Sequence, residues 1–259
     1  MSWQRKAGAV IVALVALAAV VSLVWTPYDP LQTEVAARLQ GSSPAHWMGT
    51  DQFGRDIASR VMDGARLTLT VAVGAVALSG LIGVPLGIWA GMRRGASRVV
   101  MAGADLLLAF PALLLAIVFT AVFGASIWIV VLAIGIAGIP AFVRVARAGT
   151  MQVMQRDYIL AARIAKVSGP AIAWRHVLPN IWPLVLTQVS VAVALAILAE
   201  AGLSFLGLGA PAPYASWGRM LQASQPYLAT SPHLALWPGA AIALTMLGFN
   251  LLGNADDRR

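Results

Sequence analysis

The chain contains no cysteine, which excludes disulfides, thiolate nucleophiles and thiolate metal sites. Its only lysines are Lys6 and Lys166, and neither follows a glycine, so the Gly-Lys-Ser/Thr cradle of a P-loop is absent. The three histidines, His46, His176 and His233, are scattered along the chain, which argues against a histidine-based metal site. Gly202-Leu203-Ser204-Phe205-Leu206 lacks the second glycine of a nucleophile elbow, and no histidine lies nearby in sequence. Charge is scarce as well: 11% of residues are Asp, Glu, Lys or Arg, against about 25% in soluble domains. No two carboxylates stand at helical spacing inside an apolar run. These absences disfavour an enzyme, and no catalytic, cofactor or metal site is expected on this chain.

What is present is apolar. Hydrophobic residues make up 59% of the chain, and mean hydropathy is +0.80. Runs 7–26, 67–92 and 234–253 carry no Asp, Glu, Lys or Arg; run 99–143 is interrupted only by Asp105, and run 181–208 only by Glu200. A bilayer crossing takes about 20 apolar residues. Run 99–143 therefore holds two crossings, with Gly124-Ala125-Ser126 as the turn, and each other run holds one. The expected fold class is all-α, a polytopic membrane protein with six transmembrane helices. The first run follows Arg5 and Lys6 but lacks a small-x-small site after Trp25-Thr26-Pro27, so it is read as a retained span rather than a signal peptide.

With the N-terminus inside, cytoplasmic segments hold thirteen of the 18 basic residues, among them Arg93, Arg94, Arg98, Arg144, Arg147, Arg156, Arg163, Lys166 and Arg175. Outer segments hold Arg38, Arg55, Arg60, Arg66 and Arg219, largely balanced by Asp29, Glu34, Asp51, Asp56 and Asp63. This asymmetry follows the positive-inside rule and puts both termini in the cytoplasm. The net charge of +8 then reflects loops facing anionic lipid and calls for no nucleic acid.

Segment 51–67 places Ile57, Val61 and Gly64 on one helical face and predicts an amphipathic helix leading into the second span. Gly83, Gly87 and Gly91, four residues apart, predict a seam where another helix approaches closely. Asp105, in the span that contains Phe110-Pro111, and Glu200 are ionisable groups within the membrane and hence functional suspects. The structural alternative pairs Asp105 with a nearby arginine at the cytoplasmic interface and bonds Glu200 to a neighbouring helix. Beyond the fifth span, Gly202, Gly207, Gly209, Pro211 and Pro213 break the helix before the Ser216-Trp217-Gly218-Arg219 loop.

The polar segment between the fourth and fifth spans is the most informative. Residues 157–167 suffice for two to three helical turns; Ala161, Ala162 and Ala165 make part of the surface small, and Arg163 and Lys166 keep it soluble. Such a surface suits a groove on another protein. Gly169 is placed to terminate this helix and Pro170 to begin a second one running to about Leu178. Pro179 would end that helix, and Asn180 would cap the fifth span. A helix–turn–helix across the ends of two spans and an ordinary interfacial loop fit the periodicity about equally.

The order Asp157-Tyr158, Ala161-Ala162-Arg163, then Arg175-His176, Leu178-Pro179-Asn180 resembles the cytoplasmic coupling loop of ATP-binding-cassette importer permeases. The chain is similar to the second permease subunit of the dipeptide/oligopeptide/nickel group. Supporting blocks are Gly49-Thr50-Asp51-Gln52-Phe53-Gly54-Arg55-Asp56 with Ser59-Arg60, Leu203-Ser204-Phe205-Leu206-Gly207-Leu208-Gly209, Ser216-Trp217-Gly218, and Asp105 with Phe110-Pro111.

The resemblance implies a type I importer permease fold in a bacterial inner membrane. Partners would be a second permease, two ATPase subunits that carry ATP and magnesium, and an external solute-binding protein. The cargo would be peptides, nickel or metal chelates. Contact with the ATPases would fall to Asp157, Tyr158, Leu160, Ala161, Ala162, Arg163, Lys166, Ser168 and Gly169, with His176, Leu178, Pro179 and Asn180 shaping the loop. Asp51, Arg55, Asp56, Arg60, Trp217 and Arg219 are candidate docking residues for the binding protein. Leu160 stands where the family usually has Glu, and Lys166 where it has Gly. The helix is expected to form regardless, both being better helix formers than Gly.

The implied organisation is an N-terminal span and outer segment (1–66), a permease core (67–253) with its coupling loop at 144–180, and a short cytoplasmic tail (254–259). The rival reading is an ion- or proton-coupled secondary transporter working through Asp105 and Glu200. It would call for an internal inverted repeat, which the sequence does not display.

Overall fold

In hydrocarbon a backbone must satisfy its own N–H and C=O groups, so long apolar runs become helices. A computed structural model describes residues 3–209, 211 and 213–253, and the expected tail at 254–259 lies outside them. Its helices are α1 (Trp3–Val21), α2 (Ile57–Met92), α3 (Arg94–Ala109), α4 (Ala112–Phe123), α5 (Ile127–Val153), α6 (Asp157–Ile164), α7 (Gly169–Ile172), α8 (Leu178–Phe205), α9 (Trp217–Ser224) and α10 (His233–Gly253). Among the described residues there is no strand, only an isolated bridge between Thr50 and Asp56.

Five stretches are long and apolar enough to cross a bilayer: α1, α2, α5, the run Gly169–Phe205 that α8 completes, and α10. The expected third span is not one continuous helix but α3 and α4, bent by 79°. The cause is local. Phe110 precedes Pro111, whose ring drives it out of the helical region to φ −93°, ψ 124°, and Pro111 itself brings no N–H. The expected turn follows α4, with Gly124 at φ +84°.

Two further boundaries differ from expectation. The helix predicted from residue 51 starts at Ile57, where the Asp56 carboxylate accepts the Ser59 N–H at 2.8 Å. Residues 51–56 instead form a tight turn with Gly54 at φ +76°. From Ile57, α2 runs unbroken to Met92, so no element boundary falls between 66 and 67.

Because the bent α3–α4 pair returns the chain, α2 and α5 run parallel and pack along a glycine seam. A Cβ on Gly83 would lie 2.6 Å from Phe142 Cβ; on Gly87, 2.6 Å from the Val143 carbonyl oxygen; on Gly91, 2.6 Å from Thr150 Cβ. Only glycine permits that backbone approach. Nearer the other end of the pair, Ser79 Oγ donates to the Gly135 carbonyl at 2.6 Å. Helix α8 packs against both, with Gly149 of α5 against Ile181, and α1 lies on α10 through Gly8 and Gly248. One end of the bundle carries Arg93, Arg94, Arg98 and the 144–180 segment and is called the basic end. Segments 27–56, 206–209 and 213–232 lie at the opposite end.

Candidate functional site

At the basic end the polypeptide leaves α5 at Met154 and forms α6. Asp157 stands in its first turn and Arg163 in its last, each of the sign that the helix dipole favours. Helix α6 is shorter than predicted. Lys166 adopts φ +57°; its N–H bonds to Arg163 O at 3.0 Å, and that of Val167 to Ala162 O at 3.0 Å. This is a Schellman ending, with Lys166 at the left-handed position where glycine is favoured. The termination expected at Gly169 thus falls three residues earlier, and Lys166 lies outside the helix.

The helix splits into two faces. Ile159 and Ala162 are buried in the same apolar cluster as Val153, Ile172 and Val177. Ala162, predicted to touch a partner, is therefore an internal anchor at 9% exposure. Facing outward are Asp157, Tyr158, Leu160, Ala161, Arg163 and Ile164, with Lys166 and Ser168 exposed beyond them and Gly169 half-buried. Leu160 is 59% and Ile164 75% exposed, and Trp174 in the next turn is 73% exposed. Residues 160, 161 and 164 share a side of the helix by their i, i+4 and i, i+3 spacings. Large apolar side chains are thus grouped on the surface of a basic segment.

Pro179 does not end a helix, and Asn180 does not cap one. The chain passes from α7 through one π turn, Ala173–Val177, directly into α8. The π turn resolves the difficulty the proline creates: Leu178 N–H bonds back to Ala173 O, widening the turn where Pro179 has no donor and would clash with the carbonyl four residues earlier. Asn180 Nδ2 instead donates to His176 O at 2.6 Å. The His176 ring lies 6.2 Å from that of Tyr158, joining the π turn to α6. Leu178 packs half-buried against the main core cluster.

Of the predicted docking residues at the opposite end, most are spent inside the fold. Asp51 organises its turn, accepting from the Phe53 and Arg55 backbones at 2.8 and 3.0 Å and from Arg55 Nε at 2.7 Å. Arg55 also lies 4.7 Å over the Phe53 ring. Asp56 caps α2 and accepts from Ser59 Oγ at 2.7 Å, with His46 Nδ1 at 2.9 Å. Arg60 is buried, donating to Pro30 O at 3.0 Å. Trp217 is buried too, its Nε1 donating to Val61 O at 2.9 Å. Arg219 is half-buried, and its N–H donates to the Ser216 cap at 3.3 Å. Large apolar side chains exposed here include Val35, Trp47, Phe53 and Tyr214, with Tyr28, Leu31 and Leu228. The sequence reading named none of the first four as an individual docking residue, because loop residues carry no periodic pattern.

The two intramembrane carboxylates are held apart and held differently. Asp105 pairs with Arg144 at 2.7 Å, both more than half exposed, and Arg147 donates to Ser97 at 2.9 Å beside them. These contacts tie α3 to α5. Glu200 is buried and accepts from Thr68 at 3.0 Å and Ser204 at 2.6 Å, joining α8 to α2. Each thus has the structural role weighed for it.

A groove of about 200 Å³ opens between α2, α4, α5 and α8. Its lining includes Ser79, Gly138, Gln188, Ala192 and Leu195, and neither Asp105 nor Glu200. The sequence signal for it was slight: one amide, Gln188, in a span otherwise rich in small apolar residues.

Residues 83–255 match the family model described as binding-protein-dependent transport system inner membrane component. The chain is 41% identical over 230 residues to the glutathione transport system permease protein GsiD of Pectobacterium atrosepticum, covering 88% of this chain and 76% of that protein. It is 38% identical to the dipeptide transport system permease protein DppC of Alkalihalophilus pseudofirmus, covering 95% of this chain and 82% of that one. Identity is also 38% with the probable D,D-dipeptide transport system permease protein DdpC of Escherichia coli, over 95% and 83%. Among solved structures, the MetNI methionine ABC transporter in inward-facing conformations superposes with a TM-score of 0.64 at 14% identity, covering 75% of this chain and 93% of that one, a likeness of fold. The chain therefore belongs to the family of binding-protein-dependent transport system inner membrane components.

Proposed function

We propose that the chain is one of two permease subunits in an ATP-driven importer of short peptides, with α6 as the element on which the ATPases act. The observation that carries this reading is the division of α6 into a buried anchor (Ile159, Ala162) and an exposed apolar face (Leu160, Ile164) at the basic end. A load applied to that face passes through Ile159 and Ala162 to the end of α5 and, by way of α7 and the π turn, to the start of α8. The glycine seam then carries the motion of α5 to α2, a rigid-body change between inward- and outward-open states. ATP and magnesium belong to the ATPase subunits. The basic end faces the cytoplasm, in accord with the positive-inside rule, and the solute-binding protein docks on the opposite end around Val35, Trp47, Phe53 and Tyr214. Peptides are preferred to nickel because the named relatives are dipeptide and glutathione permeases.

The test is uptake of a dipeptide by the chain assembled with its second permease, ATPases and binding protein. Ile164→Asp puts a charge into the exposed apolar face and leaves the buried anchor intact. Uptake should fall at least tenfold, since burying an unpaired carboxylate at an interface costs more than about 1.4 kcal/mol, while the subunit still reaches the membrane. Undiminished uptake would remove α6 from the coupling path.

A further inference from the structure

The groove between α2, α4, α5 and α8 is not general looseness. The same α2 and α5 that part around it touch backbone to side chain at Gly83, Gly87 and Gly91. It opens where the break at Phe110-Pro111 swings α4 aside, leaving Ala112 and Leu113 at its edge. Its volume of about 200 Å³ is an order of magnitude above the roughly 10–15 Å³ a single water requires. The groove is open to the surface, with Leu113 and Leu195 on its rim 45% and 59% exposed. The walls are methyl groups and glycine backbone (Ala137, Gly138, Ala141, Ala192, Ala199), with no charged side chain among them. The one amide is Gln188, which is half-buried and has no hydrogen-bond partner among the described residues.

Resting on the peptide reading above, we propose that this groove receives a residue of the peptide in transit, that Gln188 binds the backbone of that residue, and that the α8 alanines determine which side chains are admitted. A carboxamide offers two donors and an acceptor in one plane, the complement of a peptide N–H and C=O. The walls carry no charge to hold the peptide's termini, so they select by side-chain volume alone. The alanines of α8 set the size limit.

Because the chain has no native cysteine, single cysteines report on the groove cleanly. Gln188→Cys and Ala192→Cys are placed in the assembled transporter and exposed to a charged methanethiosulfonate, with modification of this chain read by mass. Leu198→Cys, on the same helix outside the groove, is the control. Both groove thiols should react, and saturating alanyl-alanine should slow them at least fivefold without altering position 198. In parallel, Ala192→Leu should lower uptake of phenylalanyl-phenylalanine relative to glycyl-glycine at least tenfold within one preparation. Gln188→Leu should raise the half-saturating concentration of both about fivefold, the loss of one hydrogen bond, and preserve their ratio.

Groove thiols that are inert, or indifferent to the dipeptide, would mean that lipid or a neighbouring subunit fills the space, and would overturn the proposal. So would an unchanged uptake ratio in Ala192→Leu. The cysteine variants are near-isosteric at position 192, so the outcome does not depend on the leucine variant assembling. Absence of dipeptide uptake by the unsubstituted transporter strikes the peptide reading itself, whereas normal uptake with indifferent thiols strikes only the groove.

Discussion

Replacing Gly87 by alanine tests whether the α2–α5 seam is a true backbone contact. The added Cβ would lie 2.6 Å from the Val143 carbonyl oxygen, 2.7 Å from Ala146 Cβ and 3.0 Å from the Arg147 nitrogen. Unstrained contacts of this kind sit at about 3.5–4.0 Å, so α5 must retreat by roughly 1 Å. No rotamer change can relieve the clash, because every atom met is backbone or the first carbon of a side chain. Overpacking of this kind costs about 1–3 kcal/mol. Alanine's better helix propensity returns at most about 1 kcal/mol. The net expectation is destabilisation by up to about 2 kcal/mol. Gly103 in α3 is the matched control, since a Cβ there meets nothing within 4 Å. Gly103→Ala should stabilise by up to about 1 kcal/mol through propensity alone. Unfolding of the detergent-solubilised transporter, followed through this chain's tryptophans, gives both values. Were Gly87→Ala to stabilise as Gly103→Ala does, the seam would be loose, and transmission of motion from α5 to α2 would lose its basis.

Lys166→Gly should relieve the left-handed strain at the end of α6 by about 1 kcal/mol after allowance for glycine's entropy, slowing hydrogen exchange at the Val167 amide about fivefold; faster exchange would contradict the Schellman assignment. Asp56→Ala should cost about 1–2 kcal/mol and loosen the first turn of α2, while Asp56→Asn should retain most of the cap; equal exchange protection in both variants would show that the cap is idle. Asp105→Asn breaks an ion pair that is more than half exposed and should change stability by less than about 1 kcal/mol, with uptake retained. Complete loss of uptake there would revive an ion-coupled mechanism.

Some of this was legible in the residues and some was not. The apolar runs located the helices because the bilayer leaves a backbone no alternative. The four-residue spacing of Gly83, Gly87 and Gly91 named its seam because helical periodicity puts those positions on one face. The inner segment was recognisable by the order of its polar residues, yet its boundaries were misjudged in both directions. Lys166 ends α6 early through a backbone conformation that its type does not advertise, and Pro179 fails to end a helix because a π turn absorbs its missing donor. The outer charges misled for a different reason. Asp51, Asp56 and Arg60 look like solvated handles in a polar stretch, but their partners lie in the same short loop and at the start of α2.

The sequence alone determined that this is a membrane-spanning helical protein of the importer-permease family, since hydropathy and motif order are properties of the chain read locally. Tertiary structure alone decided which face of α6 is offered outward, that Glu200 bonds across to α2, and that a groove opens beside Gln188. Each of these depends on residues far apart in the chain being brought within a few ångströms, and no local pattern encodes that distance.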